Sequence, residues 1–328
     1  MAEKQRKRRR NIISAAGGGT ELLPESTDFD AAEASFLRYC RIKNLAAGSI
    51  TYYRDVLREL RRLLRQQGVD EPIEPVKVTR EIFENCLLAK RDSGVKDVTV
   101  EKYFRGWRAF FNWMHEQGYI VENPARGVRI KSEQRIIETF TQGQIRKLLN
   151  APDRNTFTGY RDYVIMLTLL ETGVRISELV GIELHDIRWK DRMIRIYGKG
   201  RKERLVPFQT TLDRHLRQYA EIRGPLENDY LFVNIDNSPI KVRSVQQNIT
   251  MYGERADIKN VRVSPHTFRH TFAKFYIMNG GDPFSLQKIL GHTSLEIVRM
   301  YVNLFSVDVA NQHRKYSPLE RLGDDGGI

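Results

Sequence analysis

The stretch Ser264-Pro265-His266-Thr267-Phe268-Arg269-His270 decides how this chain reads, and Leu290-Gly291-His292 and then Tyr301 follow it. Ser264 suits a helix N-cap, and Pro265 suits the first turn, where its missing N–H costs nothing. His266 then lies at the positive end of the helix dipole. Arg269, three residues on, shares its face. A guanidinium and an imidazole at a helix N-terminus make an anion site suited to phosphate. A zinc reading of His266 and His270, four apart, fails because no glutamate sits between them and a guanidinium does. No metal or other cofactor is expected. Alone, His266 as a packed core histidine weighs about as much as the anion site. Tyr301, beside Ile297, Val298 and Val302, reads alone as core.

The rest of the chain supplies context. Its 328 residues suggest about two domains. Lys and Arg total 54 against 41 Asp and Glu, a net charge of +13, which points to a polyanionic partner. Nucleic acid leads. An anionic membrane surface ranks below it, because no basic amphipathic helix stands apart from the globular pattern. Cys40 and Cys86 lack metal spacing and read as free thiols of a cytosolic protein. No apolar run approaches a membrane span, and Lys4–Arg10 is not followed by the apolar core of a signal peptide.

Residues 1–27 read as a basic, flexible tail able to add phosphate contacts. Residues 28–120 read as a helical domain. There Ser49 is expected to cap a helix with an apolar stripe from Ile50 to Leu64 and an opposite face of Arg54, Arg58, Arg61, Arg62 and Arg65. A second helix from about Val98 carries Trp107, Phe110 and Phe111 inward and Lys102, Arg105 and Arg108 outward. Residues 121–138, with Pro124 and Gly127, read as a linker, and 139–318 as a larger second domain. Helices are expected at 141–150, 159–171 and 176–183. Met193–Tyr197 and Arg204–Pro207 flank Gly198-Lys199-Gly200 as a β-hairpin. Residues 319–328 read as a disordered tail.

Two further residues carry chemistry. Arg175, in Thr172-Gly-Val-Arg175-Ile-Ser-Glu178-Leu, projects from a helix start, and Glu178 can hold its guanidinium. Taken alone this is an ordinary surface ion pair. Lys199 sits at the hairpin tip, where a long amine can reach into a groove.

Together Arg175, Lys199, His266, Arg269, His292 and Tyr301 resemble the active-site set of the tyrosine site-specific recombinases, the phage integrase and Xer-type family. The phrases Thr-Gly-Val-Arg175-Ile-Ser-Glu-Leu, Gly-Lys199-Gly-Arg-Lys-Glu-Arg-Leu-Val-Pro, Pro-His266-Thr-Phe-Arg269-His-Thr-Phe-Ala and Leu-Gly-His292-Thr-Ser-Leu match the family's in order and spacing. The resemblance spans about residues 30–318. It implies a mainly α fold with a small β-sheet. A helical core-binding domain and a mixed α/β catalytic domain would form a C-shaped clamp on DNA.

The implied reaction is attack of Tyr301 on a scissile phosphate to give a 3′-phosphotyrosine and a free 5′-hydroxyl. Arg175, Arg269 and His292 would bind the phosphate oxygens. Lys199 would protonate the leaving oxygen, and His266 would serve the tyrosine-side proton. Glu178 and His270 would support this set. Arg54, Arg58, Lys102, Arg105, Arg201, Lys202 and Arg204 are candidate DNA contacts. The implied partners are double-stranded DNA with paired inverted repeats and a homotetramer on two sites, residues 307–316 exchanging between protomers. The implied setting is the cytoplasm, at the nucleoid, serving mobile-element integration and excision or Xer-like resolution. The alternatives are a type IB topoisomerase, a telomere resolvase, or a DNA-binding accessory protein without catalysis.

Overall fold

A computed structural model describes residues 28–131, 137–198, 203–291, 301 and 313. The chain forms two compact units, Met1–Arg135 and Ile136–Ile328. Residues 1–27, 199–202, 292, most of 307–316, and 319–328 lie outside the described part, so the expectations for both tails, Lys199, Arg201, Lys202, His292 and the exchanged segment fall there.

The first unit is helical: α1 (Phe29–Ile42), α2 (Ala47–Gln66), α3 (Arg80–Asp92) and α4 (Asp97–Glu116), with a short 3-10 turn at Pro75–Lys77. Asp28 and Thr79 cap α1 and α3 by accepting backbone N–H bonds. The expected Ser49 cap is corrected. Helix α2 begins three residues earlier, after Ala46, and Ser49 lies within its first turn. Helices α2 and α4 approach closely at Gly106, where a Cβ would meet Val56 Cγ2 at 2.5 Å. Trp107, fully buried beside it, donates its indole N–H to Val56 O at 2.7 Å, so its polar edge is satisfied inside the core. Ile120 and Ala125 are buried in this same core and Val128 and Ile130 pack on it, so much of the stretch after Tyr119 is packed rather than free.

The second unit is built on α6 (Phe157–Thr172), which buries residues on all sides. Around it lie α5 (Gln142–Asn150), α7 (Ile176–Leu179), α8 (Thr210–Arg223), α9 (Val242–Arg255), α10 (Pro265–Met278) and α11 (Pro283–Leu290). A three-stranded antiparallel sheet, β1 (Ile187–Arg188), β2 (Met193–Tyr197) and β3 (Glu203–Pro207), completes it. The hairpin is the β2–β3 pair; β1 is an added edge strand. The helix expected over 176–183 ends at Leu179 instead. Leu231 N donates to Ile182 O at 2.8 Å and Leu184 N to Asp229 O at 2.8 Å. Those bonds hold Glu183 extended and bridged to Tyr230, and a short 3-10 turn at Leu184–Asp186 follows in place of further α-helix. Among the described residues, no helix is long and apolar enough to cross a membrane.

Candidate active site

Three chain segments converge on one place in the second unit, and each is aimed by local backbone chemistry. At the first, α6 ends on Gly173 in the left-handed region, φ +60°. Any Cβ there would lie 2.4 Å from Phe272 Cδ1. Only glycine permits both the turn and the approach of α10. Arg175 follows at the start of α7, its side chain 39% exposed and so able to meet a ligand.

The second segment is α10. Ser264 Oγ accepts from Thr267 N at 3.3 Å and Pro265 opens the helix, as the sequence predicts. His266 is exposed, which removes the packed-core reading. Arg269 is buried, with Nη1 donating to Gly173 O at 2.6 Å and Nη2 to Leu290 O at 2.8 Å. The same glycine therefore turns the chain and supplies the carbonyl that orients Arg269. The third segment is the end of α11, where Gly291 adopts φ +65° and turns Leu290 O toward Arg269.

One expectation is corrected here. Arg204 does not face outward toward DNA. On β3 it shares a face with buried Val206, and across the ladder it opposes buried Ile196. Its Nη2 meets Glu178 Oε2 at 2.7 Å, its Nη1 meets Glu178 Oε1 at 3.0 Å, and its Nε donates to Ile289 O at 2.8 Å. Glu178 also accepts from Arg175 N at 2.8 Å and Arg175 Nη1 at 3.0 Å. Glu178 thus holds Arg175, as the sequence suggests, and also ties β3 to α7. Sequence separation hid the second role, although the alternation Arg204, Val206 carried a signal for it.

The cations act on one another. Partial desolvation of the ring where it meets the protein, and then the charges of Arg269, Arg175 and Arg262, pull the His266 imidazole below its ordinary value although the residue as a whole is exposed. Burial and the neighbouring Arg175 bring Arg269 down to about 10, so it stays charged at neutral pH. Burial would raise Glu178, but the Arg204 hydrogen bonds, the Arg175 N–H and both guanidinium charges outweigh it, and its carboxyl lies below the ordinary range.

Tyr301 is buried in a cluster with Ala273, Ile277, Leu286 and Leu290. Its hydroxyl lies 2.6 Å from His270 Nδ1. Burial raises the phenol above its ordinary value, while the Arg269 charge pulls it the other way. His270, read from the sequence as a supporting residue, touches the phenol directly. Its position four residues after His266 was the available signal.

Among the outward cations of the first unit, Arg58 pairs with Asp55 at 3.5 Å and Arg105 with Glu101 at 3.7 Å, while Lys102 lies over the Tyr52 ring at 5.6 Å. Arg61 is held by Asp30 and Glu33, and Arg65 by Glu71. The arginine face of α2 is therefore partly an ion-pair lattice.

A family model described as the phage integrase family matches residues 138–306, more than half of the chain. The chain belongs to the phage integrase family. This recombinase is 29% identical over 297 residues to the tyrosine recombinase XerC of Thermodesulfovibrio yellowstonii, a match covering 88% of this chain and 96% of that one. It is 27% identical over 290 residues to XerD of Staphylococcus haemolyticus, covering 86% and 97%. Its fold is similar to that of the Tn1549 transposon integrase solved in complex with transposon right end DNA. That match has a TM-score of 0.69 at 19% identity and covers 90% of this chain and 100% of the other. As a tyrosine recombinase it is a DNA breaking-and-rejoining enzyme. These relatives favour recombination over the topoisomerase, telomere-resolvase and accessory-factor readings.

Proposed function

We propose that Tyr301 is the nucleophile of this recombinase and that Arg175, Arg269 and His266 form the described part of its phosphate site. The observation that carries the reading is the phenol of Tyr301 lying against α10, under the charge of Arg269 and in contact with His270. A free tyrosine is ionised to about one part in a thousand at pH 7, so reaching phenolate costs about 4 kcal/mol. Guanidinium charge held in place before the substrate arrives offsets that cost and stabilises the extra negative charge on the phosphorus centre. Arg175 and Arg269 bind the non-bridging oxygens, and His292 adds a donor to them. Lys199, between two glycines, protonates the leaving 5′-oxygen. The product is a 3′-phosphotyrosine, which stores the phosphodiester for rejoining.

The substrate is duplex DNA carrying paired inverted repeats, bound through counterion release by a strongly basic chain. In this reading residues 28–120 are the core-binding domain, with Arg54, Arg58, Lys102 and Arg105 on phosphates. Residues 139–318 are the catalytic domain, with Arg201 and Lys202 beside Lys199. Four protomers act on two sites and exchange the segment 307–316. The work is done in the cytoplasm at the nucleoid, in mobile-element movement or chromosome resolution.

The test is a nicked suicide substrate, which traps the covalent intermediate. Wild-type protein should become attached to DNA, and Tyr301→Phe should bind the same DNA without attachment. A covalent adduct in Tyr301→Phe would defeat the assignment.

A further inference from the structure

We propose that His270 takes the phenolic proton of Tyr301 as that oxygen attacks the DNA phosphate, and returns it when the strand is rejoined. This rests on Tyr301 being the nucleophile. The tyrosine-side proton was assigned above, from resemblance, to His266. The geometry moves it. His270 Nδ1 is 2.6 Å from the Tyr301 hydroxyl, within the reach a general base needs. His266 is exposed at the first turn of α10, and the charges acting on it are those of Arg269, Arg175 and Arg262.

The contact has a defined sense. A phenol is the better donor and a neutral imidazole nitrogen the better acceptor, so Tyr301 donates to Nδ1 and the His270 ring proton sits on Nε2. Burial, then His266 and Arg269, hold His270 below the ordinary imidazole value, so it is neutral and ready to accept. Those two groups lie on its own helix. Among the described residues, Tyr301 is the titratable side chain hydrogen-bonded to it, and α11 contributes Leu286 and Leu290 to the cluster around that phenol. Lys274, one turn along α10, is directed to Thr139 at 3.2 Å.

In the resting protein a phenol raised by burial faces an imidazole lowered by burial, so the proton stays on oxygen. The nucleophile is quiet until phosphate arrives. As the Tyr301 oxygen bonds to phosphorus its proton becomes acidic and passes to Nδ1. The bond from phosphorus to the 5′-oxygen breaks, and that oxygen receives its proton from Lys199. The phosphodiester keeps its single negative charge. In rejoining, the 5′-hydroxyl attacks phosphorus and gives its proton back to the neutral Lys199 amine, the bond from phosphorus to the Tyr301 oxygen breaks, and protonated His270 returns the proton to that oxygen.

The experiment is single-turnover cleavage of the nicked substrate by the full chain across pH 5 to 9, for wild type, His270→Asn, His266→Asn and Tyr301→Phe. Wild type and His270→Asn are repeated with a ring-fluorinated tyrosine at position 301. Asparagine places an oxygen near Nδ1, so it keeps the hydrogen bond but cannot take the proton. Wild-type cleavage should fall on the acid side as His270 protonates, below its ordinary value, and this limb should stay in place when the phenol is fluorinated. His270→Asn should cleave about 10²-fold more slowly and lose the limb, and its deficit should shrink with the more acidic phenol. His266→Asn should be slower but retain the limb. A wild-type rate in His270→Asn, a deficit equal with both phenols, or a limb that follows His266 or the phenol overturns the inference. The wild-type limb can be read even if the variant folds poorly. An adduct in Tyr301→Phe would instead defeat the nucleophile assignment on which the proposal stands.

Discussion

Glu178 and Arg204, distant in sequence, meet through two near-parallel hydrogen bonds of 3.0 and 2.7 Å, and the same carboxylate holds Arg175 at 3.0 Å. The side chains of Glu178 and Arg204 are 4% and 13% exposed. The site's solvent-facing guanidinium is therefore fixed by an acid that is itself fixed by a buried one.

Removing the acid should cost more than a surface ion pair does. Glu178→Ala leaves Arg204 buried without its counter-charge, and breaking such a pair costs about 3–5 kcal/mol. Urea denaturation at pH 7 measures this. Acid sensitivity should change as well. The Glu178 carboxyl is lowered in the folded state, so the unfolded chain binds its proton more readily. Its stabilisation is complete above the ordinary value of 4.5 and is lost as pH falls through the lower folded value. Glu178→Gln should lose less stability than wild type between pH 5 and pH 3.

Arg175 and Arg204 should separate by assay although they share one acid. Arg175→Ala should slow adduct formation by about 10²-fold or more, yet change stability by about 1 kcal/mol at most, because its side chain is well exposed. Arg204→Ala should lower stability and cleavage together, since it strands Glu178 and frees Ile289 O. Equal stability losses in the two variants would contradict the distinction.

Gly173→Ala should be among the more damaging single-methyl changes. It places a Cβ in the left-handed region and 2.4 Å from Phe272, for a combined cost of about 2–4 kcal/mol. It also shifts the carbonyl that orients Arg269. Both the urea midpoint and the cleavage rate should fall.

Lys199→Ala should cleave ordinary DNA about 10²–10⁴-fold more slowly. Sulfur in place of the bridging 5′-oxygen leaves without needing a proton. Cleavage of that substrate should return toward the wild-type rate, and absence of rescue removes Lys199 as the acid.

Salt titrations should sort the arginines of the first unit. Arg54→Ala and Lys102→Ala should each reduce the slope of log affinity against log salt by about 1. Arg61→Ala should leave the slope unchanged and lower stability instead, because Asp30 and Glu33 already engage it. Fluorescence anisotropy with labelled duplex DNA reads the slope.

Much of the fold is legible locally. The apolar stripe of α2, the Ser264-Pro265 start of α10 and the alternation Met193, Arg195, Tyr197 against Ile194, Ile196 each follow from short-range periodicity and capping. What failed locally failed for long-range reasons. The helix after Arg175 stops early because residues near 230 pair with 182–184. Arg204 looks like a free surface cation until Glu178, 26 residues away, is brought beneath it.

The sequence by itself carried the family and, in order, the residue types of the proposed site, because catalysis of phosphoryl transfer needs cations and a nucleophile in a fixed set. It also determined the capped helix and the glycine turns that present them. Only the tertiary structure decided which of those groups touch. Tyr301 reads as core in sequence and is buried in fact, yet its hydroxyl lies against His270 rather than in an apolar wall. That pairing depends on packing α11 and α10 around one phenol, and on Gly173, Gly291 and Arg269 joining three segments far apart in the chain. Contacts of that range carry no local periodicity, so local spacing hints at which side chains face inward but does not name their partners.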